Sequence, residues 1–555
     1  MAISQSAPPI EWQKCLGGSN SDYSYSIDQT TDGGYIVAGV SRSNNGDVSG
    51  NHGERDFWVV KLNSIGNLQW QKSFGGSGFD FAYSVQQTTD DGYIVAGITI
   101  SNNGDVSGNH GSVDYWVVKL NSMGDLQWQK CLGGTDDEYA YSIRQTTDEG
   151  YIVAGLTASV DGDVSGNHGS LDCWLVKLNA TGEIQWQKCL GGSSGEQFNS
   201  IQQTLDGGYI IAGFTNSNDG DVNGLYGFSD YWVVKLNGLG ELQWQKCLGG
   251  TMWEEAYSIQ QCSDGGFILA GYSGSTDGDV NCNPEHSGYW VVKLNGTGFL
   301  EWQKCFGGTW GGNARSIQQT TEGGYIVAGY TYSNDGDVNG NHGELDSWIV
   351  KLNATGDLEW QKCLGGTIDE YAFSIQQTAD GGYIVAGLTS SNDGDVSGNH
   401  GDTDFWIVKL FGCGRVVQNT NDTGDGSLRK VINSACDGAF ISFTLPSMSQ
   451  ITLTSGEITI DKNLTLSGPG INQLIISGNN NSRIFNLLPG RSLRIENLSL
   501  KNTAALSNGG ALLVKGNLTL KNVLLENNFE NGVHKSMTLL STGSFISIGQ
   551  VDIKQ

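Results

Sequence analysis

The chain has 555 residues, of which 82 are Gly and only 6 are Pro, and 16% are charged. This composition excludes a disordered chain and favours a loop-rich, all-β globular protein. Residues 1–411 carry 18 Lys+Arg against 49 Asp+Glu, whereas the remainder carries 12 against 9. An acidic surface repels nucleic-acid phosphates and anionic lipid and favours cations or neutral ligands, so we expect no nucleic-acid partner. No apolar run reaches membrane-spanning length, so we expect no membrane insertion.

Residues 1–9 are predicted to be a linker, the remnant left after a signal peptide is cleaved. Residues Ala2 to Pro9 read AISQSAPP, which is typical of such a remnant, and Met1 is interpreted as an added residue. The sequons of the chain fall mostly in turns, and in a bacterial protein we interpret them as turn chemistry. These features favour an exported protein, extracellular or on the cell surface, whose signal peptide is absent from this sequence. A cytosolic origin would also explain the missing signal.

Residues 10–411 consist of seven copies of a 58-residue unit without insertion or deletion. Trp12 and Trp58 each have an equivalent every 58 residues in all seven copies. The aromatic residue at Tyr35, which starts a strand-like segment, recurs with the same spacing. Each copy contains four short strand-like segments separated by turn signals, which is typical of a propeller blade. The sequence therefore predicts an all-β fold that begins with a seven-bladed β-propeller of four-stranded blades.

The lengths of the connections predict which strands share a blade. Tight turns at 148–150 and at 179–183 make hairpins, whereas the loop from Gly155 to Asp172 is long. A blade then starts at the SIQQT-type strand, innermost, and ends with the WQK strand of the next copy. The strand around Trp12 should therefore close blade seven beside residues 407–409. The long loops should emerge on one face and the short turns on the other.

The order of the GYIVAG, DxWVVKLN and GxLxWQK segments resembles the bacterial delta-60 repeat and, more distantly, kelch blades. The segment from Asn179 to Trp186 also resembles the tryptophan-docking motif of propellers that bind pyrroloquinoline quinone. These resemblances cover residues 10–411. They imply a propeller and no particular activity, because propellers host many functions.

Residues 412–555 form a second predicted domain, in which the 58-residue period stops. The stretch from Val416 to Leu428 reads VVQNTNDTGDGSL and resembles the start of bacterial surface domains of the CSLREA or pectate-lyase-like type. The resemblance implies a short right-handed parallel β-helix of a handful of rungs. Alternating Leu/Ile with Asn at turns, repeated between 495–502 and 519–525, fits parallel coils with inward Asn stacking.

The 11 Cys residues include one position that is repeated in the WQK strands, where Ser73 is the exception. We interpret this repeated Cys as a small packed hydrophobic residue. Two pairs are predicted as disulfides. Cys173 and Cys189 lie on the two strands of one hairpin, in a register that sets Val176 opposite Trp186. Cys413 and Cys436 bracket the start of the second domain.

The long loops match a twelve-residue calcium loop at positions 1, 3, 5, 6 and 12, and calcium is the one cofactor that the sequence suggests. Blade five breaks the pattern with Cys282 and Gly288. The alternative is a repeated Asx/Gly turn whose last Asp caps the following strand. The predicted ligands are Asn45, Asp47, Ser49 and Asp56; Asn103, Asp105, Ser107 and Asp114; Asp161, Asp163, Ser165 and Asp172; Asp219, Asp221, Asn223 and Asp230; Asp335, Asp337, Asn339 and Asp346; and Asp393, Asp395, Ser397 and Asp404.

The loops also carry a repeated His, which we interpret as a solvated residue that is alone in its blade. Catalysis or metal binding needs convergent partners, and the sequence indicates none for these side chains. The five residues of this set are His52, His110, His168, His342 and His400.

The linkers that precede the inner strands differ most between copies, and we expect them to ring the mouth of the central channel. The predicted ligand-binding residues there are Phe79, Trp253, Glu254, Trp310 and Glu370. An exposed Trp beside a carboxylate suits sugar or peptide binding. The alternative is that each Trp packs against the neighbouring blade. Six of the seven copies hold an acid at the end of the linker: Asp22, Asp80, Glu138, Glu196, Glu254 and Glu370.

The sequence favours a secreted or surface-displayed bacterial binding or adhesion protein without enzyme activity. The propeller would be a monomeric recognition platform for a glycan or protein at the long-loop face, and the β-helix a stalk. One alternative is an enzyme, either a polysaccharide-active β-helix or a cofactor-dependent propeller oxidase. Few carboxylates in the second domain argue against the former, and no Cys/Tyr/His copper set argues against the latter. A second alternative is an assembly scaffold in the envelope.

Overall fold

The computed structural model describes residues 7–282, 287–411, 415–435, 439–505, 509–535, 537–539 and 544–554. The chain forms two compact units. One contains Glu11–Gln377 and Ile384–Lys409, and the other contains the chain from Leu410 onward with two short segments of earlier sequence. In the described ranges the fold is all-β with a single short helix. No helix in these ranges is long and apolar enough to cross a membrane.

The first unit is the predicted propeller, and within the described residues it has seven blades of four antiparallel strands. The inner strands alternate buried with half-buried residues, whereas the two middle strands are buried throughout because both of their faces pack against neighbouring blades. The first strand of the chain, β1 (Ile10–Leu16), belongs to the last blade. The strands of the first four blades are β2 (Asp22–Gln29), β3 (Tyr35–Ser41), β4 (Asp56–Leu62), β5 (Leu68–Phe74), β6 (Asp80–Gln87), β7 (Tyr93–Thr99), β8 (Asp114–Leu120), β9 (Leu126–Leu132), β10 (Glu138–Gln145), β11 (Tyr151–Thr157), β12 (Asp172–Leu178), β13 (Ile184–Leu190), β14 (Glu196–Gln203), β15 (Tyr209–Thr215), β16 (Asp230–Leu236) and β17 (Leu242–Leu248). The remaining blades consist of β18 (Glu254–Gln261), β19 (Phe267–Ser273), β20 (Ser287–Leu294), β21 (Leu300–Gly308), β22 (Gly312–Gln319), β23 (Tyr325–Thr331), β24 (Asp346–Leu352), β25 (Leu358–Leu364), β26 (Glu370–Gln377), β27 (Tyr383–Thr389) and β28 (Asp404–Leu410).

The ring closes as predicted, because β1 joins the last three propeller strands in the order β1-β28-β27-β26. The Trp406 indole N–H donates to Gln13 Oε1 at 3.0 Å, as the equivalent Trp of other blades does to its own WQK glutamine. Lys409 Nζ also lies 3.3 Å from Glu11 Oε2. The first strand of the chain is therefore the outer strand of the seventh blade.

The blades pack through their repeated aromatic residues. Trp174 is fully buried, and its ring centroid lies 4.7 Å from that of Tyr115 in the preceding blade. Outer-strand Trp residues dock on the turn of the next blade. A Cβ atom added at Gly124, which has a φ of +80°, would lie 2.8 Å from the Trp70 ring, so only glycine permits this contact. The identical Trp and Gly residues thus maintain the ring.

The inner strands form a narrow polar channel of about 240 Å³. Ser26 Oγ accepts a hydrogen bond from the backbone N–H of Val85 in the next blade at 3.1 Å. The same bond recurs at every blade junction and closes on itself, since Ser374 accepts from Ile27. The channel wall is therefore part of the framework.

The second unit is the predicted parallel β-solenoid, of about four turns, and it begins beside the helix α1 (Leu428–Ser434). Ser427 caps this helix by accepting from the Lys430 N–H. The strands are β29 (Arg415–Val417), β30 (Ala439–Phe443), β31 (Ser449–Thr452), β32 (Ile458–Ile460), β33 (Leu464–Ser467), β34 (Leu474–Ser477), β35 (Phe485–Leu487), β36 (Ser492–Ala505), β37 (Leu512–Val514), β38 (Asn517–Glu530), β39 (Val533–His534), β40 (Met537–Leu539) and β41 (Ser544–Lys554).

Asparagines stack between the long coils, as the sequence predicts, but at the surface and not inward. Asn522 donates to Asn497 at 3.1 Å and Asn527 to Asn502 at 3.4 Å, and all four have φ between 51° and 54°. Asn tolerates this left-handed conformation better than other non-glycine residues. The stacked residues therefore turn the coil, while Leu and Ile fill its interior.

The predicted disulfide between Cys173 and Cys189 is wrong, and both thiols are free. A bulge between Lys177 and Leu178 sets Lys177, not Val176, opposite Trp186. Cys189 then pairs with Trp174 and Cys173 with Leu190, so the two thiols point to opposite faces of the sheet. Each is packed in a different core between blades, as expected for small hydrophobic residues. The other predicted pair, Cys413 and Cys436, lies outside the described residues.

Candidate functional site

Two buried carboxylates meet at most blade junctions. Asp172 begins β12, and Glu196 begins β14 of the next blade. A Cβ atom added at Gly191 would lie 2.8 Å from Asp172 Oδ1 and 2.5 Å from Glu196 Oε2. We call this arrangement an acid-pair junction. Among the described residues it occurs at six of the seven junctions, formed by Asp404 and Asp22, Asp56 and Asp80, Asp114 and Glu138, Asp172 and Glu196, Asp230 and Glu254, and Asp346 and Glu370.

The linker acids are structural, and the structure removes Glu254 and Glu370 from the predicted ligand site. Both are fully buried. Glu254 accepts from the Gly250 N–H at 2.7 Å and from Ser273 Oγ at 2.9 Å. Each such acid thus satisfies the backbone of its own linker and a hydroxyl of the next strand, at some distance from solvent.

The partner acids, at position 12 of the long loops, cap their own loops. Asp172 Oδ2 accepts from the His168 N–H at 3.0 Å and contacts His168 Nδ1 at 2.6 Å, while Asp172 Oδ1 has no hydrogen-bond partner. Burial raises the pKa of Asp172 despite these hydrogen bonds. Burial, with the neighbouring Asp80 adding to it, raises the pKa of Asp56 to about 6.

The repeated His side chains are about 40% exposed and are not alone in their blades, contrary to the sequence prediction. His110 Nδ1 lies 2.7 Å from Asp114 of its own blade, and His110 Nε2 lies 3.9 Å from Asp163 of the next. His52 and His400 make the same pair of contacts. The loop histidine is therefore a link between two carboxylates across a blade junction.

The other predicted calcium ligands also have partners within the protein. Asp161 Oδ1 accepts from the Thr135 N–H at 2.8 Å, and Asp163 Oδ2 from the Gly133 N–H at 3.3 Å. Nowhere in the described part of the chain do three or more His, Cys, Asp or Glu side chains form a group that suits a metal ion. The observed contacts fit the alternative, an Asx/Gly turn that caps the following strand.

Calcium binding by the loops stays untested, and the hydrogen bonds of the loop acids lead us to expect no effect of calcium on stability. Calcium would have to displace the hydrogen bonds of Asp161 and Asp163, so we expect a chelator to leave the melting temperature unchanged. Six occupied sites would instead each stabilise the fold by about 2.7 kcal/mol at a hundredfold excess of calcium over Kd. Calorimetry with and without chelator, with magnesium as the control ion, separates these results.

The junction between blades five and six differs from all the others. Gly288 stands where the other loops have Asp, and Gly312 where the other linkers have an acid. A Cβ atom at Gly288 would lie 3.1 Å from the Gly312 nitrogen, and one at Gly312 would lie 2.3 Å from the Tyr330 carbonyl oxygen. The two strands thus approach more closely than an acid pair allows, and Thr331 Oγ1 binds the Gly311 carbonyl instead. Both acids are lost together.

A disulfide joins Cys282 of the blade-five loop to Cys305 of β21, with 5.5 Å between their Cα atoms. Sequence reasoning missed this pair, although the signal was present. Cys282 replaces a repeated loop Gly, which in blade three is Gly166. A Cβ atom added at Gly166 would lie 4.0 Å from Cys189 Cβ. Cβ atoms of disulfides lie about 3.5–4.5 Å apart, so a Cys at the Gly position reaches the repeated Cys.

A pocket of about 520 Å³ opens at this same junction. Five aromatic side chains line it: Trp253, Tyr272, Trp310, Tyr330 and Tyr332. The exposed fractions are 54% for Trp253, 75% for Trp310 and 50% for Tyr332. The structure thus brings together two of the predicted ligand-binding residues, Trp253 and Trp310, and leaves both open to solvent.

Backbone hydrogen bonds fix the two Trp residues in place. The Trp253 carbonyl accepts from the Gly274 N–H at 3.0 Å, and the Trp310 N–H donates to Ser333 Oγ at 2.9 Å. The Trp253 ring also contacts Phe228, with 5.5 Å between centroids. Phe79, the third predicted aromatic, is 38% exposed and lies at the junction of blades one and two, where Arg55 covers its ring. It does not belong to this pocket.

Arg315 lies behind the pocket and was not predicted. Its guanidinium carbon lies 3.9 Å from the centroid of the Tyr257 ring, and its Nη2 donates to Tyr330 Oη at 3.3 Å. Asn313 Nδ2 donates to the same oxygen at 2.6 Å. Burial lowers the pKa of Arg315. Nearby Tyr257, Tyr330 and Glu255 outweigh this effect, so the pKa of Arg315 is raised overall. The signal in the sequence was a cation at a position that is aromatic in most other inner strands.

No model of a known protein family matches the chain. A curated relative, the regulatory protein FlaEY of Caulobacter vibrioides, is 26% identical over 225 residues, which are 37% of this chain and 22% of that relative. The chain thus spans less than a quarter of that relative's length.

Several solved propellers are similar in fold. BamB from Moraxella catarrhalis is 14% identical with a TM-score of 0.35, over 73% of this chain and 88% of that one. The Pan2 WD40 domain of Neurospora crassa is 10% identical with a TM-score of 0.40, over 74% and 96%. BBS1N, solved in complex with ARL6DN, is 11% identical with a TM-score of 0.40, over 73% and 97%. These values carry no argument about function.

Proposed function

We propose that this chain is a binding protein without enzyme activity and that its propeller is a recognition platform for a glycan or protein ligand. The ligand site is the pocket between blades five and six. One observation carries this proposal: at this junction the chain gives up the acid pair that the other described junctions keep, and two Trp side chains are exposed in its place.

The energetics of exposure support a functional reading of these residues. A fully exposed Trp forgoes the roughly 1.5–3 kcal/mol that burial of a large apolar side chain contributes. The repeated middle-strand Trp residues, such as Trp174 and Trp232, are almost completely buried, so this chain does bury Trp where the framework requires it. Exposed aromatics in a concave site with a few polar groups are typical of ligand pockets of about 300–1,000 Å³.

We also propose that the protein is exported, to the cell surface or beyond. The Cys282–Cys305 disulfide supports this location, because disulfides persist in oxidising compartments. In this proposal the parallel solenoid serves as a stalk or spacer. Membership of the delta-60-type repeat family and of the CSLREA-type β-helix domains belongs to the same proposal and rests on the sequence motifs.

Loss of the exposed Trp residues tests the proposed site. Trp310→Ala and Trp253→Ala are expected to weaken binding on combined glycan and peptide arrays by tenfold or more, since each removes a large contact surface. Ile368→Ala is the matched control, because Ile368 occupies the position equivalent to Trp310 in the next linker and is also exposed. Binding that survives both Trp substitutions at full strength would place the ligand elsewhere.

A further inference from the structure

We infer that the ligand of the blade five–six pocket is a neutral saccharide. The inference rests on the proposed function and names the chemistry of its ligand. Three properties of the pocket carry it: the kind of apolar surface that it offers, the arrangement of its donors and acceptors, and its charge.

The apolar surface of the pocket is entirely aromatic. Its lining consists of the five aromatic side chains together with Glu255, Thr309, Asn313 and two glycines, and no aliphatic side chain is among them. Flat rings with polar edges, such as Trp and Tyr, offer large amphipathic surfaces. A sugar ring presents one face of C–H groups and an edge of hydroxyls, so it matches such a surface. An aliphatic peptide side chain would instead favour an aliphatic hole.

The polar groups at the back of the pocket supply donors and acceptors side by side. Tyr330 Oη accepts hydrogen bonds from both Asn313 and Arg315, so its own hydrogen is left to donate to a ligand. Asn313 uses its amino group for this contact and keeps its carbonyl as an acceptor. Glu255 accepts from the Tyr257 hydroxyl with one oxygen, and its other oxygen is a further acceptor. Vicinal hydroxyls, each both donor and acceptor, fit such a set.

The charges in and around the pocket disfavour both an acidic sugar and a cation as the ligand. Glu255 is the sole acidic or basic residue of the pocket lining, and the Arg315 guanidinium lies behind the pocket, over the Tyr257 ring and hydrogen-bonded to Tyr330. The two charges offset each other. Residues 1–411 as a whole carry 49 acids against 18 Lys+Arg, which repels uronic acids and sulfated sugars at low salt.

The test uses the full chain on an array with three arms: neutral oligosaccharides of hexoses and N-acetylhexosamines, polyuronates and sulfated glycans, and proline-rich and other peptides. We expect binding in the neutral arm alone. Trp310→Ala should weaken it by tenfold or more, Glu255→Gln should weaken it by less, and Ile368→Ala should leave it unchanged. Tryptophan fluorescence should shift on addition of the sugar that binds, and this shift should shrink in Trp310→Ala.

The outcomes separate the inference from the function on which it rests. Binding that depends on Trp310 but occurs only in the acidic or peptide arm overturns the saccharide inference and supports the proposed site. Binding in the neutral arm that is unchanged in both Trp variants overturns both, as does the absence of binding in every arm. Equal melting temperatures of the variants and the parent show that a loss of binding is not a loss of folding.

Discussion

Lowering the pH from 7 to 5 is expected to stabilise the propeller. Each acid-pair junction holds at least one buried carboxyl whose pKa is raised, mainly because burial removes it from water. Burial and the neighbouring Glu254 raise the pKa of Asp230 to about 6 despite hydrogen bonds from its loop, as burial and Asp80 do for Asp56. The other raised members are Asp22, Asp80, Asp114, Glu138, Asp172, Asp346, Glu370 and Asp404.

The sign follows from proton uptake. Unfolded Asp and Glu titrate near pH 4, so between pH 6 and pH 4 the folded state binds more protons than the unfolded state. The free energy of unfolding therefore increases as the pH falls through this window, by up to about 1.4 kcal/mol per pH unit for each such carboxyl. Below about pH 4 the free energy of unfolding stops increasing. It then decreases as the pH falls towards the lowered pKa of groups such as Asp32. Partial burial raises the pKa of Asp32, but hydrogen bonds from Thr30, Gly34 and Lys61 outweigh this effect and lower it to about 2.

Tryptophan fluorescence measures this effect on the propeller alone, because all 16 Trp residues precede residue 411. We expect the melting temperature to be highest between pH 4 and pH 5. Asp56→Asn should flatten the pH dependence, since it removes one raised carboxyl, whereas Asp136→Asn at an exposed position should not. A melting temperature that falls steadily from pH 7 to pH 5 would show that the buried pairs are ionised without cost.

The propeller itself was predictable because its signals are repeated and local. Seven copies of one pattern fix the blade, and the lengths of the turns at 148–150 and 179–183 fix which strands pair. The position of β1 in blade seven followed from the same strand assignment. For the solenoid, the length of the second domain predicted only a handful of rungs, and the structure has about four turns.

The candidate site was predictable only in part, because it depends on contacts between blades. The sequence indicated Trp253 and Trp310 through their divergence from other copies, but it did not show that they share one pocket with Tyr330 and Tyr332. It assigned Glu254 and Glu370 to the ligand because acids are usually exposed, whereas tertiary hydrogen bonds bury them. The bulge at Lys177 shows the same limit: a one-residue shift in register reversed the direction of Cys189 and could not be derived from spacing.

The absence of an acid pair at the blade five–six junction also explains why that blade needs another constraint. In blade one, for example, Asn51 Nδ2 donates to the Ser41 carbonyl and the His52 N–H donates to Asp56, which together hold the long loop. Blade five has Gly288 in place of that Asp. The Cys282–Cys305 disulfide connects the same loop to the outer strand of its own blade. A covalent bond thus stands where the other blades use hydrogen bonds.

Loss of this disulfide is expected to destabilise the propeller by about 3 kcal/mol. The two cysteines are 23 residues apart, and closing a loop of this length in the unfolded chain accounts for a value of that size in the chain-entropy argument. Cys282→Ser and Cys305→Ser should lower the midpoint of denaturation to the same extent. Reduction of the parent protein should reproduce this loss and should leave both variants unchanged.

Cys247→Ser provides the matched control, because Cys247 occupies the position of Cys305 in the preceding blade and has a free thiol. It should cost less than Cys305→Ser, and its melting should respond to reductant as the parent does. Peptide mapping without reduction should recover Cys282 joined to Cys305 and the described free thiols alkylated, among them Cys173 and Cys189. Alkylated Cys282 in unreduced protein, or equal losses in Cys247→Ser and Cys305→Ser, would show that packing and not a covalent bond holds the blade-five loop.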